Sequence, residues 1–577
     1  VGSEMCIRDR LRNLSELLAK ASQVLASDAQ LTEGVLGTLE AAVGPRAVLI
    51  GSDHRPAQGR PLTVHAGPES WRSALLEHLQ QRRRLWIATT AQQAGAPNSA
   101  QNLAVLVAAH WPGARVLVVD SETVADPLHD AHRLASDPDG IAAAYDVVIA
   151  TPAVAAGLSV TRRGHFSAVF GWAGGTTDPA AAAQALARVR DGCPRHLYAA
   201  ERSPGTALLV GSGAIRPADV MQQLKNHEAA AVAQLLAAGE WTPSNNTGGP
   251  WLPLWATLAA DQNRQRLAYR STVLALLERE GYEPQQPEEL GAEQLAAARQ
   301  VRRELETIAT ASQAREDEAI RSAQLLTDDE AQSLQEKERL NPAERAQLQR
   351  WRVAAAWGLG DAPPTSAVLE ANREGQHRRH RFGWLLLNRE ARELVAQTDC
   401  LKSRKLTPDG QTFWVPDLCR LMETPRLTAA DALKLGRWLE RTDWFGADDP
   451  ALLELQTIAT THGGSMAQVL GVRAGERGTT TLRRLLALAG YRLETERRRA
   501  PGAGRKAAAR YRYRVVREVL PQGAEREAME TSWLRSMQRQ TEIMWKPAPR
   551  PPGGFFKWQQ PSYQRQPLGV CTENRQS

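Results

Sequence analysis

Cysteine is scarce in this 577-residue chain. Cys6, Cys193, Cys400, Cys419 and Cys571 are widely scattered, and no two form a C-x-x-C pair. That excludes a disulfide framework and a thiolate zinc site, and it predicts a reducing, cytoplasmic setting. No run approaches the ~18 consecutive apolar residues of a transmembrane helix, so no membrane partner is expected. No G-x-x-x-x-G-K-[ST] occurs, so the chain has no Walker-type phosphate cradle of its own. A nucleophile–base pair and a dinucleotide glycine fingerprint are also missing. The Asp/Glu-rich stretches show no ligand spacing with His, and no metal site is expected. What is there is ordinary globular material, 42% hydrophobic and 23% charged. At ~100–200 residues per domain it suffices for roughly three to five domains.

The net charge is +7, and most of it lies in one place. Residues 483–517 hold 12 Arg/Lys and 2 Glu, a local +10, which leaves −3 for the rest (7 − 10). A single basic stripe of this kind suits a surface that meets phosphate.

The decapeptide VGSEMCIRDR (1–10) looks like translated sequencing-adapter read-through and is set aside. The expectation is therefore a fragment whose natural protein extends upstream. Residues 11–43 read as helix (LRNLSELLAKA), strand (QVLASDA) and helix (EGVLGTLEAAV). Within 44–204, RLWIATT, ARVLVVD, DVVIATP, FSAVFGW and RHLYAAE are β-rich runs separated by Ala/Leu-rich helical stretches. This alternation predicts βαβ units and a parallel sheet with helices on both faces. Residues 205–357 read as a helical linker with a charge-laced, solvated hairpin, and 358–446 as mostly helical. In 447–520, three helices (451–462, 465–472, 479–490) precede two alternating strands around a Pro-Gly turn. Thr caps the third helix at its start and Gly490 at its end. Three helices and a basic hairpin are the plan of a winged helix-turn-helix. Residues 521–577 read as a helix and a Pro/Gly/Gln-rich disordered tail.

Three constellations carry candidate chemistry. In DVVIATPAVAAGLSV (146–160) a strand ends at Thr151, and Gly157 and Ser159 follow in a loop of small residues that lets backbone N–H groups approach a phosphate. Alone, this is also the ordinary turn of an α/β sheet. In AAAQALARVRDG, Gln184 and Arg188 share a helical face at i, i+4, with Arg190 two residues on. An Ala-rich helix projecting arginines suits a finger that neutralises charge on a transferred phosphoryl group, or simply a solvated surface. In the basic hairpin, Arg492, Arg497, Arg498, Arg499, Arg505, Lys506, Arg510, Arg512 and Arg514 surround Tyr491, Tyr511 and Tyr513, and Arg and Tyr alternate over 510–514. The arginines share one strand face there. Arg483 and Arg484, with Thr479–Thr481, mark the preceding helix as one that enters a DNA groove. HRRHRFGW (377–384) reads as a basic–aromatic patch or a solvated helix end. Trp351, Trp357 and Trp438 read as core. Asp317-Glu318-Ala319 and Asp329-Glu330-Ala331 imitate a Walker B box but sit in helical sequence, away from any apolar strand end.

The order WIATTAQQ (86–93), VLVVDSET (116–123), ATPAVAAG (150–157) and QALARVR (184–190) resembles the second RecA-like domain of superfamily 2 helicases. The wider phrase, with DSETVADP and SDPDGIAAAYDVVIATPAVAAGLSV, resembles cyanobacterial plasmid replication proteins of the origin-of-replication-binding-protein-like group. The resemblance implies a second RecA-like helicase domain, a mostly helical region and a winged helix-turn-helix. It also implies an upstream primase-type domain and a first RecA-like domain that holds ATP and Mg. On that resemblance Arg188 or Arg190 is the arginine finger, Gln184 couples nucleotide state to domain closure, and Thr151, Gly157 and Ser159 link nucleotide to DNA. Its partners would be a single-stranded DNA track, a duplex origin and replication proteins. The residue-level alternative is a DNA-binding partition or regulatory protein whose α/β domain is structural.

Overall fold

The computed structural model describes residues 53–152, 158–204, 209–210, 213–223, 251–337, 340–406, 412–414, 423–498, 510–518 and 524–545, with short pieces between 16 and 50. Seven strands form one all-parallel sheet: β1 (Arg60–His65), β2 (Leu85–Thr89), β3 (Val116–Val119), β4 (Val147–Ala150), β5 (Ala168–Ala173), β6 (Arg195–Ala199) and β7 (Tyr282–Gln285). Their order is β3-β4-β2-β5-β6-β1-β7. Burial follows position. Central β2 (LWIAT) and β4 (VVIA) are buried at every residue, whereas edge strand β3 alternates. A strand covered on both faces needs a continuous apolar run, and one with a wetter face does not.

The connecting helices are α1 (Pro68–Gln80), α2 (Ala100–His110), α3 (Asp130–Arg133), α4 (Pro138–Ala143), α5 (Pro179–Leu186), α6 (Trp251–Leu267), α7 (Tyr269–Glu280) and α8 (Ala292–Ser322). Leu85, Ile87, Val147 and Phe170 face α1, α2 and α8 through Trp71, Leu75, Leu103, Val301 and Leu305. Trp86, Ala88, Val148 and Val169 face the other way, onto α5 and α7 through Ala182, Leu186, Val273 and Leu277. Gly171 sets the closeness of α5: a Cβ there would lie 2.1 Å from Leu186 Cδ1. The five strand runs expected within 44–204 are thus strands of a parallel sheet with helices on both faces.

Two strands escaped the sequence reading. β1 (RPLTVH) begins with Arg and Pro, and β7 (YEPQ) is exposed after Tyr282. β7 lies in the stretch expected to be a helical linker, yet it pairs with β1. The charge-laced α8 is likewise no solvated arm, because its Ala298–Val301–Leu305–Ala309 stripe is buried. Residues 23–26, the described part of the expected strand QVLASDA, form no strand.

The remaining helices are α9 (Asp328–Glu336), α10 (Pro342–Trp357), α11 (Ser366–Arg373), α12 (Gln376–Leu387), α13 (Arg389–Ser403), α14 (Glu423–Ala432), α15 (Leu435–Leu439), α16 (Pro450–Thr461), α17 (Gly463–Leu470), α18 (Gly478–Leu488) and α19 (Ala524–Trp545). A small hairpin, β8 (Arg404–Leu406) and β9 (Thr412–Trp414), follows α13. A longer one, β10 (Tyr491–Arg498) and β11 (Arg510–Arg517), follows α18. One apolar core joins α10 to α19 and the longer hairpin, from Val353 and Trp357 through Phe382, Leu435 and Leu482 to Met529 and Trp533. HRRHRFGW proves to be part of it. His380, Phe382 and Trp384 are buried in α12, so the aromatic part of the segment is core, while its first residues form the first turn of that helix with Arg378 exposed. Trp357 and Trp438 are core, but Trp351 is half-buried and donates to Asp328 at 2.8 Å. Asp317 sits in α8, accepting from Arg373 at 2.6 Å, and Glu330 closes the capping box of α9 with Thr327.

Candidate functional site

Thr151 follows β4 and is buried; its N–H donates to Val119 O at 2.9 Å and its hydroxyl to the same oxygen at 3.3 Å. That hydroxyl ties β4 to β3. Gly157 lies outside the described residues. The chain then forms a short parallel bridge, Val160 against Val189, with Val160 N–H to Arg188 O and Arg190 N–H to Val160 O, both 2.8 Å. This bridge brings the first and second sequence constellations together. Arg190 Nε donates to Ser159 Oγ at 3.0 Å, and Arg188 Nη1 to Leu158 O at 3.0 Å.

The expected shared face of Gln184 and Arg188 does not form. Helix α5 ends at Leu186, and Arg188 has already left it for the bridge. The strand partner at 158–160 takes the backbone groups that a further helical turn would use. Gln184 stays exposed on α5.

The two arginines differ in kind. Arg188 is half-buried, and burial followed by the nearby Arg190 charge pulls its pKa below the usual guanidinium value. Arg190 is exposed, and among the described residues neither arginine has a carboxylate at ion-pair distance. The neighbouring acids have other work. Asp191 accepts from Gly164 N–H at 2.7 Å, and Glu280, its pKa raised by burial, is held down in part by Arg190. An exposed guanidinium on a fixed hydroxyl can take an oxyanion from one side. No group of three His, Cys, Asp or Glu among the described residues could hold a metal ion. The site therefore fits one side of a phosphate.

At the opposite ends of the strands, Asp120 fixes the loop after β3. Its carboxylate accepts from Glu122 N–H and Thr123 N–H, both 2.9 Å, and from Gln101 Nε2 at 2.8 Å. Glu122 pairs with Arg345 of α10, and Gln92 donates to Ser121. These ties join the WIATTAQQ and VLVVDSET segments, and the sequence offers no spacing signal for them.

In the third constellation α16, α17, α18 and the hairpin fall where expected. Phe445 adds a third chain to the hairpin, its backbone exchanging two 2.9 Å bonds with Tyr513. The cap is different: helix α18 starts at Gly478, with Arg477 as its uncapped preceding residue. Thr481 is buried, donating to Gln456 Oε1 at 2.7 Å, and so does not face a groove. Gly490 is left-handed, φ +74°, as a helix end requires.

The arginine face of the hairpin is also not the free surface expected. Glu494 stands opposite Arg514 and Glu496 opposite Arg512, with ion pairs of 2.7 and 2.9 Å. Both guanidinium groups lie over the Trp444 ring, Arg514 at 5.0 Å and Arg512 at 5.4 Å. Arg499, Arg505 and Lys506 lie outside the described residues, as do the side chains of Arg498 and Arg510. Arg483, Arg484, Arg492 and Arg497 are exposed and have no ion-pair partner among the described residues. Arg473 and Arg477, before α18, share that state and were not singled out by the sequence reading.

Comparison with known proteins adds little. No family model matches. An uncharacterized protein of Picosynechococcus sp. is 26% identical over 459 residues, 76% of this chain and 44% of its own length. The chain thus spans less than half the length of the curated relative it matches. A solved structure of a variant of S. cerevisiae Dbp5, bound to a variant of Gle1 and IP6, is 17% identical with a TM-score of 0.23, covering 33% of this chain and 47% of that one. Among the described residues, no helix is long and apolar enough to cross a membrane.

Proposed function

We propose that the sheet of this chain is the second RecA-like domain of a nucleic-acid motor, with ATP held by a separate phosphate-gripping domain. The observation that carries this reading is the Val160–Val189 bridge. It places Ser159, Arg188 and Arg190 in one cluster, with Arg190 open to solvent. The fold is the expected parallel α/β sheet, and the motif-like segments occupy it in the order that the helicase resemblance implies.

ATP supplies the driving chemistry in such a motor. What this chain's residues do is narrower. Ser159 holds the Arg190 guanidinium by its Nε, leaving its remaining donors toward solvent and a neighbouring domain. Arg188 fixes the strand bridge through Leu158 O. Arg190 is therefore the finger of this reading and Arg188 its positioning residue. A winged-helix unit (three helices, the hairpin and the Phe445 strand) anchors the protein on DNA through Arg483, Arg484, Arg492 and Arg497. Plasmid replication initiation, with an origin duplex and replication proteins as partners, is the role this arrangement would serve.

The purified chain is expected not to hydrolyse ATP, with or without DNA. Joined to a domain bearing a G-x-x-x-x-G-K-[ST] loop from the same gene, it is expected to hydrolyse ATP. Arg190→Ala should then cut turnover by about 10³-fold or more, as arginine fingers do. Turnover by the isolated chain, or a joined protein indifferent to Arg190→Ala, refutes the assignment. A DNA-binding regulatory protein with a structural α/β domain is the second reading, favoured by the inward bond of Arg188.

A further inference from the structure

The edge of the sheet where the strands begin carries a row of arginines that neither the nucleotide cleft nor the hairpin explains. Arg82, Arg83 and Arg84 lead into β2, Arg115 into β3, and Arg162 and Arg163 precede β5. All six are exposed. Hydrogen bonds tie the turns into one surface. Arg84 and Arg115 share Asp146, at 3.5 and 3.4 Å. Ser167 N–H donates to Arg84 O at 2.8 Å, and the His165 ring bonds Tyr145 O at 2.9 Å. The carboxylates bonded to these turns are Asp146, Asp139 and Asp191; Asp139 is occupied by Thr161 and by the Arg162 N–H at 2.9 Å, and Asp191 by the Gly164 N–H at 2.7 Å. Six guanidinium groups against three carboxylates leave +3 (6 − 3). The C-termini of α1 and α2 reach this edge and attract cations, but at about half a charge per helix they offset only part of the excess.

Arg82 supplies an independent observation. It ends α1 in a Schellman turn: Arg83 N–H donates to His78 O and Arg82 N–H to Leu79 O, both 3.0 Å. The residue at that position is left-handed and usually glycine. Here it is arginine, at φ +52°, one of two non-glycine residues with positive φ among the described residues. A long cation at a place that stability would give to glycine is the mark of a side chain kept for contact.

We propose that this edge binds the phosphodiester backbone of DNA, as a sequence-independent contact separate from the hairpin unit. From β3 to β5 the row crosses three strand spacings, about 14 Å, enough for several consecutive phosphates. No exposed aromatic ring stands among these arginines to stack a base, so the contact is one of charge alone. The row adjoins the Arg190 cluster, to which Asp191 ties the Gly164 turn, but its arginines are other residues and the contact is argued without ATP.

The test is fluorescence anisotropy of the full chain with single-stranded and duplex oligonucleotides of about 20 residues, between about 50 and 200 mM salt. The variants are R82G/R83A and R162A/R163A, with R299A/R303A on α8 as a charge-matched control. Each edge variant is expected to lower affinity several-fold. The slope of log K against log salt should fall by about 1.4 for the single strand or 1.8 for the duplex, and the larger change identifies the strand form. R82G/R83A should melt no lower than wild type, since glycine relieves the left-handed backbone. Affinities and slopes matching the control overturn the proposal. The nucleotide reading is untouched by that result, because no ATP is involved.

Discussion

Acid should loosen the β1–β6 strand pair before it touches the rest of the sheet. His65 of β1 is 2% exposed, its Nδ1 bonded to Ser70 Oγ at 2.8 Å and its Nε2 to His196 Nδ1 at 3.2 Å. His196 stacks on Phe170 at 4.5 Å and meets the His78 ring edge-on at 5.3 Å. Burial pushes the His65 pKa down to about 4 and His196 to about 3, with the neighbouring rings adding to the latter. The sign follows. Unfolded rings titrate near 6.5, so the folded state keeps full stability above that and loses it as pH falls toward the folded values. With those two values, moving from about pH 8 to about pH 5 weakens folding by ~2 kcal/mol through His65 alone, and by ~3 kcal/mol near pH 4. The His196 loss is not simply additive, since the two rings share one hydrogen bond. The assay is hydrogen exchange of peptides covering β1 and β6, corrected for intrinsic exchange, because a chain of this size unfolds in parts. His65→Gln keeps two polar ends without a titrating ring and should flatten the pH dependence. An unchanged pH dependence in that variant refutes the reasoning.

Other expectations are equally direct. Gly383→Ala, in the middle of α12, should destabilise although alanine usually favours helix, because its Cβ would meet Ala489 O at 2.3 Å. Melting should report a loss of about 1–3 kcal/mol. R483A/R484A should reduce the salt slope of duplex binding by about 2, whereas R512A/R514A, which removes arginines already paired with glutamates, should change it less and lower hairpin stability instead. Arg188→Ala should lower melting temperature by stranding Leu158 O, and Arg190→Ala should not.

The sheet was legible where strands are buried on both faces: LWIAT and VVIA can be little else. It was illegible at β1 and β7, where Pro61 and Pro284 interrupt runs that survive only because neighbouring chain supplies the pairing. The bridge at Val160 and Val189 was hidden for the same reason. Helical periodicity carried past Leu186, and only a strand distant in sequence pulls Arg188 out of it. The hairpin's alternation was plain in the letters, and so were its arginines. That Glu494 and Glu496 sit opposite Arg514 and Arg512 depends on register, which the intervening turn sets.

The late arrival of β7 bears on how the protein is made. During synthesis the first six strands emerge together, but β1 stays unflanked on one side until residues 282–285 leave the ribosome. For roughly eighty residues of translation the nascent chain exposes an open strand edge, which neighbouring nascent chains or a chaperone can engage. A ribosome pausing in that interval would give the unfinished sheet its longest opportunity to aggregate.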